Sequence, residues 1–174
     1  VASPFFTAYG IETLHMTFAQ LAYMGIVSSV ASIVVYPIIG RLQDRFGDRI
    51  VLIVSAFCVV PLPLGWIFSQ PGWLWPLFCT SLFAGVFWPG IDQGFANMSM
   101  ARAPQTGKGA YLAAFGAVSG VGLMLAGLLG GGVAQLIGTA SWSYAGATIN
   151  HYAVLFVFSM LLRFVAAMWV LRRL

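Results

Sequence analysis

Charge is what this chain has least of. Lysine, arginine, aspartate and glutamate make up 7% of its 174 residues, against about 25% in a soluble globular domain. Eight basic and four acidic side chains cannot cover the surface of a soluble fold of this size. Cysteine is scarce as well: Cys58 and Cys79 lie in apolar stretches at different depths, which disfavours a disulfide and leaves two apolar thiols. No metal-ligand spacing occurs, because His15 and His151 are isolated. Low-complexity linkers are missing, and so is any segment that reads as a soluble domain. The alternation of apolar and polar residues over about ten positions that marks a membrane β-barrel strand is absent too.

What remains is apolar, 60% of the residues. Periodicity carries little information in so apolar a chain, so length decides. A spanning helix needs about 20 apolar residues. Phe18–Ile39, Ile50–Phe68, Trp75–Met98, Ala110–Ile137 and Tyr152–Leu171 meet that length and predict five transmembrane helices. The fourth is long and is expected to tilt or to end in irregular turns near Gly130, Gly131 and Gly132. Val1–Tyr9 is apolar but too short to span, and has neither the basic start nor the cleavage site of a signal peptide. It reads as the tail of a helix whose remainder is missing, so the chain is expected to be a fragment: one all-α, polytopic membrane domain over residues 1–174.

Sidedness follows from the basic residues. Arg41, Arg45 and Arg49 lie between the first and second spans, Arg102 and Lys108 between the third and fourth, and Arg172 and Arg173 after the fifth. The opposite turns, residues 10–17, 69–74 and 138–151, hold no lysine or arginine. Basic loops stay in the cytoplasm. The predicted cytoplasmic loops are therefore residues 40–49 and 99–109, with the C-terminus cytoplasmic and the protein multi-pass in a plasma membrane, the inner membrane in a bacterium. Trp66, Trp73, Trp75, Trp142 and Tyr144 gather at the outer ends, as an interfacial aromatic belt does. The net charge of +4 is accounted for by orientation and calls for no nucleic acid.

The densest charge is in Gly40–Arg49, GRLQDRFGDR. On charge alone it is a positive-inside turn in which Gly40 ends one helix and Asp48 caps the next. Its order of Gly40, Leu42, Asp44, Arg45, Gly47 and Arg49 resembles the cytoplasmic-loop signature of the major facilitator superfamily, Gly-x-Leu-x-Asp-Arg/Lys-x-Gly-Arg-Arg/Lys. Asp48 replaces the penultimate arginine, a departure that suits the weaker copy of the signature in the second half of such proteins. The ending LLRFVAAMWVLRRL and the lack of a membrane arginine in the third span fit the same C-terminal six-helix half.

The resemblance implies half of a twelve-helix secondary transporter that moves a small organic solute by alternating access, with proton or ion coupling as an option. It implies a small-molecule substrate, a second six-helix half as partner, no cofactor and no enzymatic activity. It also implies that Asp44 latches helix ends by ion pairing, with Arg45 and Arg49 as partners. The alternative is a transport-inactive relative acting as a membrane receptor or scaffold.

Within the spans, Gly25, Ser29, Ser32, Tyr36 and Gly40 form a small-polar stripe. It serves close packing, or Gln20, Tyr23 and Ser32 border an aqueous cavity. The third span carries Pro89, Gly90, Asp92, Gln93, Gly94 and Asn97. Asp92 is the one acid inside a predicted span, about 9 Å by helical rise from its inner end. It is a structural anchor reaching Arg163 or the interface, or else a cavity-facing site for a cation, substrate or proton. In the second case Gln93 and Asn97 are its polar neighbours and Pro89–Gly90 its bend. Gly116/Gly120 and Gly127/Gly131 predict tight packing of the fourth span, and also permit bending. Arg163 reads as structural pairing or snorkelling. An intramembrane serine protease built on Ser119 and His151 is excluded by depth: Ser119 lies about 27 Å by helical rise from the outer end where His151 sits.

Overall fold

The computed structural model describes residues 3–137, 142–144, 147–149 and 151–173. Its elements are α1 (Ser3–Glu12), α2 (Phe18–Phe46), α3 (Asp48–Val59), α4 (Leu62–Ile67), α5 (Trp75–Arg102), α6 (Lys108–Ile137) and α7 (His151–Arg173), with a short antiparallel ribbon of β1 (Trp142–Tyr144) and β2 (Ala147–Ile149) before α7. The first two residues of the expected helix tail, and the side chains of Trp142, Tyr144 and His151, lie outside the described residues.

Among the described residues, four helical stretches are long and apolar enough to cross a membrane: Phe18–Phe46, Asp48–Ile67, Lys108–Val133 and Ala153–Arg172. The helix α5 is long enough at 28 residues, but Asp92, Gln93 and Asn97 lower its hydropathy. Its position accounts for this: α5 packs against α2, α3, α4 and α6, so much of its surface meets protein, not lipid.

Local chemistry sets where the helices begin and break. Thr17 and Gln20 close a capping box at the start of α2: Gln20 N donates to Thr17 Oγ1 at 3.3 Å, and Thr17 N donates to Gln20 Oε1 at 2.9 Å. The expected loop from Gly40 to Arg49 is corrected, since α2 continues through Gly40 to Phe46 and α3 starts at Asp48. Gly47 alone makes the turn, with φ 86° and ψ 149°, a region open to glycine and costly for other residues. The same geometry corrects the capping role given to Asp48. Gly47 holds the cap position without a side-chain bond, and Asp48 is in the first turn of α3, where a negative charge suits the helix dipole.

Two further expectations change. The predicted span Ile50–Phe68 divides at Val60–Pro61 into α3 and α4, because Pro61 and Pro63 lack the N–H groups that a continuous helix needs. The fourth span stays helical through Gly130–Gly132 to Ile137. The glycines of its two expected packing pairs meet no neighbour among the described residues: a Cβ at Gly116, Gly120, Gly127 or Gly131 would find nothing within 4 Å. Tight packing is found instead along α5. A Cβ at Gly85 would collide with the Ser28 carbonyl and lie 2.8 Å from Ala31 Cβ, so α2 and α5 approach backbone to backbone there. On the other side, Gly90 and Gly94 admit Ser55 and Leu52 of α3.

The core lies toward the Trp75 end of α5. Tyr9, Leu14, Met16, Met24, Leu77, Leu155 and Phe156 form its buried cluster. Phe6 stacks on Phe156 with centroids 4.9 Å apart. This cluster joins α1, α2, α5 and α7.

Candidate functional site

Proline in a helix frees the carbonyl four residues earlier, and in a membrane that carbonyl needs a new donor. Two such carbonyls are met by side chains from neighbouring helices. Pro89 leaves the Gly85 oxygen free, and Ser32 Oγ lies 3.0 Å from it while also 2.9 Å from its own Ser28 oxygen. Pro63 leaves the Val59 oxygen free, and Arg163 Nη1 donates to it at 3.1 Å. Ser32 and Arg163 thus stitch the bundle together at its proline breaks.

At the Gly47 end, a polar seam ties three helices. Asn97 Nδ2 of α5 donates to Asp48 Oδ1 of α3 at 2.8 Å and to Gln43 Oε1 of α2 at 3.4 Å. One turn away, Gln93 Nε2 reaches the Tyr36 carbonyl at 3.5 Å. Gln43 is buried, and its Nε2 has no partner among the described residues; the same holds for Gln93 Oε1. Sequence reasoning missed Gln43, which occupies an unspecified position of the loop signature and carries no charge to draw notice. Beside this seam, Asp44, Arg45 and Arg49 are exposed. The Arg45 guanidinium lies over the Phe46 ring at 5.3 Å, and no ion pair joins the three residues among those described.

The remaining sequence-derived candidates separate into two groups. Gln20 is held in the α2 capping box, Ser32, Gln93 and Asn97 lie in the α2–α5 seam, and Gly90 packs on α3. Tyr23 and Asp92 are exposed, with no hydrogen bond or ion pair among the described residues. Asp92 forms no pair with Arg163, which turns to Val59 and to the Trp88 ring, 5.8 Å from its centroid. The helix α5 runs on past Met98 to Arg102, ten residues beyond Asp92, so Asp92 stands about 15 Å by helical rise from that helix end.

Trp88, one turn from Asp92 on the same α5 face, reaches into a cavity of about 420 Å³. Gly25 and Ser28 of α2, Trp66 of α4, Ser81 and Trp88 of α5 and Arg163 of α7 line it. Among the described residues, no group of three or more histidine, cysteine, aspartate or glutamate side chains could hold a metal ion.

Long apolar helices around a less apolar central one, with proline carbonyls satisfied across helices, define a polytopic α-helical membrane protein. The chain belongs to the Major Facilitator Superfamily, whose family model matches residues 1–174. That is a superfamily of transporters rather than enzymes, whose members bind small-molecule substrates within a membrane. Comparison with curated proteins and with solved structures gave no match.

Proposed function

We propose that these helices form the C-terminal half of a secondary transporter that moves a small organic solute by alternating access, and that Asp92 is its ion- or proton-coupling group. One observation carries the reading: Asp92 sits in the middle of the central helix, exposed and without a hydrogen bond or ion pair among the described residues. A carboxylate at that depth is costly against lipid and is met in water-filled paths or in paired sites. No pair exists among the described residues, which leaves the group to an aqueous path shared with a second six-helix half. The rigid α2–α5–α3 unit, closed by glycine contacts, would then rock as one body, with the Gly47 turn and its arginines at the cytoplasmic face.

The test is uptake by the complete protein in proteoliposomes. A panel of radiolabelled sugars, amino acids and carboxylates is offered with and without an imposed proton gradient, to wild type and to Asp92→Asn. Gradient-stimulated uptake of a panel member by wild type, absent in the variant, supports the reading. An identical gradient response in both removes Asp92 from the mechanism. No uptake of any panel member by wild type favours the receptor or scaffold alternative.

A further inference from the structure

We infer that the groove between α2 and α3 is a binding site for an anionic phospholipid, with one acyl chain lying along the groove and the phosphate meeting Arg45 and Arg41. This goes beyond the Asp92 reading, because it concerns another side of α5 and a lipid, not a transported solute.

The groove has a volume of about 530 Å³. Val35, Leu42 and Phe46 of α2 form one wall, Ile50 and Val54 of α3 the other, and Val86 of α5 the floor. No residue of α1 lines it. Val86 is two residues before Trp88, about 200° round the helix, so the groove lies across α5 from the face that carries Trp88 and Asp92. Leu42, Phe46, Ile50 and Val54 are exposed, and in a bilayer such an apolar trough is filled by hydrocarbon. From Val35 to Phe46 it runs about 16 Å by helical rise, close to half of the roughly 30 Å hydrocarbon core of a bilayer. The trough is therefore one leaflet deep, and it ends at the charged Gly47 turn.

The cations sit where a headgroup lies. The Arg45 guanidinium stands over the ring of Phe46, 5.3 Å from its centroid, and so at the mouth of the groove. Arg41 is one turn earlier on the same side of α2. Both are exposed, and neither makes an ion pair among the described residues. The acids of this turn point elsewhere: Asp44 is about 100° round α2 from Arg45, on the side away from the groove, and Asp48 is held by Asn97. An apolar trough with two unpaired cations at its membrane-surface end is complementary to a lipid with a negative headgroup. A zwitterionic lipid fills the same trough but brings no net charge to the arginines.

The experiment is native mass spectrometry of the complete, delipidated protein in detergent, titrated with phosphatidylglycerol and phosphatidylcholine carrying identical acyl chains. The first lipid bound is expected to be phosphatidylglycerol, preferred about fivefold or more. Glycerol 3-phosphate, the same headgroup chemistry without chains, is expected not to compete. Arg41→Gln with Arg45→Gln should abolish the preference, and Val54→Trp, which fills the groove, should weaken binding of both lipids roughly tenfold. Arg172→Gln removes a charge near the far end of the chain and should leave the preference intact. Melting temperatures check the fold of each variant. Equal binding of the two lipids by wild type, a preference kept in the folded double arginine variant, the same loss in Arg172→Gln, competition by glycerol 3-phosphate, or unchanged binding in folded Val54→Trp would each overturn the proposal. The measurement reads lipid binding alone, so its failure and a failure of the Asp92 reading are distinguishable.

Discussion

Arg163 Nη1 lies 3.1 Å from the Val59 carbonyl oxygen, across 104 residues of chain, and that carbonyl is the one Pro63 leaves without a helical donor. The proline break and the arginine are therefore one device. The broken span between α3 and α4 is stable in an apolar surround because α7 brings a cation to the buried C-terminal end of α3, where the helix dipole is negative.

Replacing Arg163 by methionine strands that carbonyl. Thermal unfolding in detergent is expected to show a loss of about 1–3 kcal/mol. Pro63→Ala restores an N–H at the position that can serve Val59, so the loss on Arg163→Met should shrink in the Pro63→Ala background. Equal losses in the two backgrounds would show that the arginine acts elsewhere.

The α2–α5 contact makes a second, sharper prediction. Gly85→Ala forces a methyl group into the Ser28 carbonyl and is expected to cost about 1–3 kcal/mol by overpacking. Gly116→Ala meets open space and should be neutral or stabilise this chain by up to about 1 kcal/mol, the difference in helix propensity. Melting temperatures of the two variants side by side check the contrast.

Asp48 is where the loop departs from the superfamily signature. Asp48→Arg restores the basic residue but removes the acceptor of Asn97 Nδ2 and places a cation at the start of α3. A loss of about 1–3 kcal/mol is expected from the hydrogen bond and helix dipole together. Asp48→Asn, which keeps an acceptor, should lose less. A more stable Asp48→Arg protein would show that the seam with Asn97 contributes little.

The apolar spans were legible in the sequence because length against bilayer thickness decides them, and the signature around Gly47 pointed to the superfamily that the family model then matched. The extent of the loop was not legible. Glycine at 40 reads as a helix end, yet nothing near it forbids continuation, and only the positive φ of Gly47 stops the chain. Glycine spacing was equally ambiguous: the pairs in α6 meet no neighbour, whereas Gly85, Gly90 and Gly94 hold the bundle together, a difference set by which helices are adjacent. The roles of Ser32, Gln43 and Arg163 depend on partners 53, 54 and 104 residues away, and no local pattern encodes such pairs. Asp92 stands out in the sequence as the one acid inside a predicted span, but that it meets no partner among the described residues is a property of the assembled helices.

The central claim is that Asp92 faces water within the membrane, and accessibility measures it most directly. Asp92→Cys is placed in a background with Cys58 and Cys79 changed to alanine, and a membrane-impermeant cationic thiol reagent is added to the intact complete protein in sealed membrane vesicles. Labelling at position 92 in the intact membrane, slowed by an added transported solute, is the predicted result. A cysteine that reacts only after detergent solubilisation would place position 92 against lipid or buried protein and contradict the account.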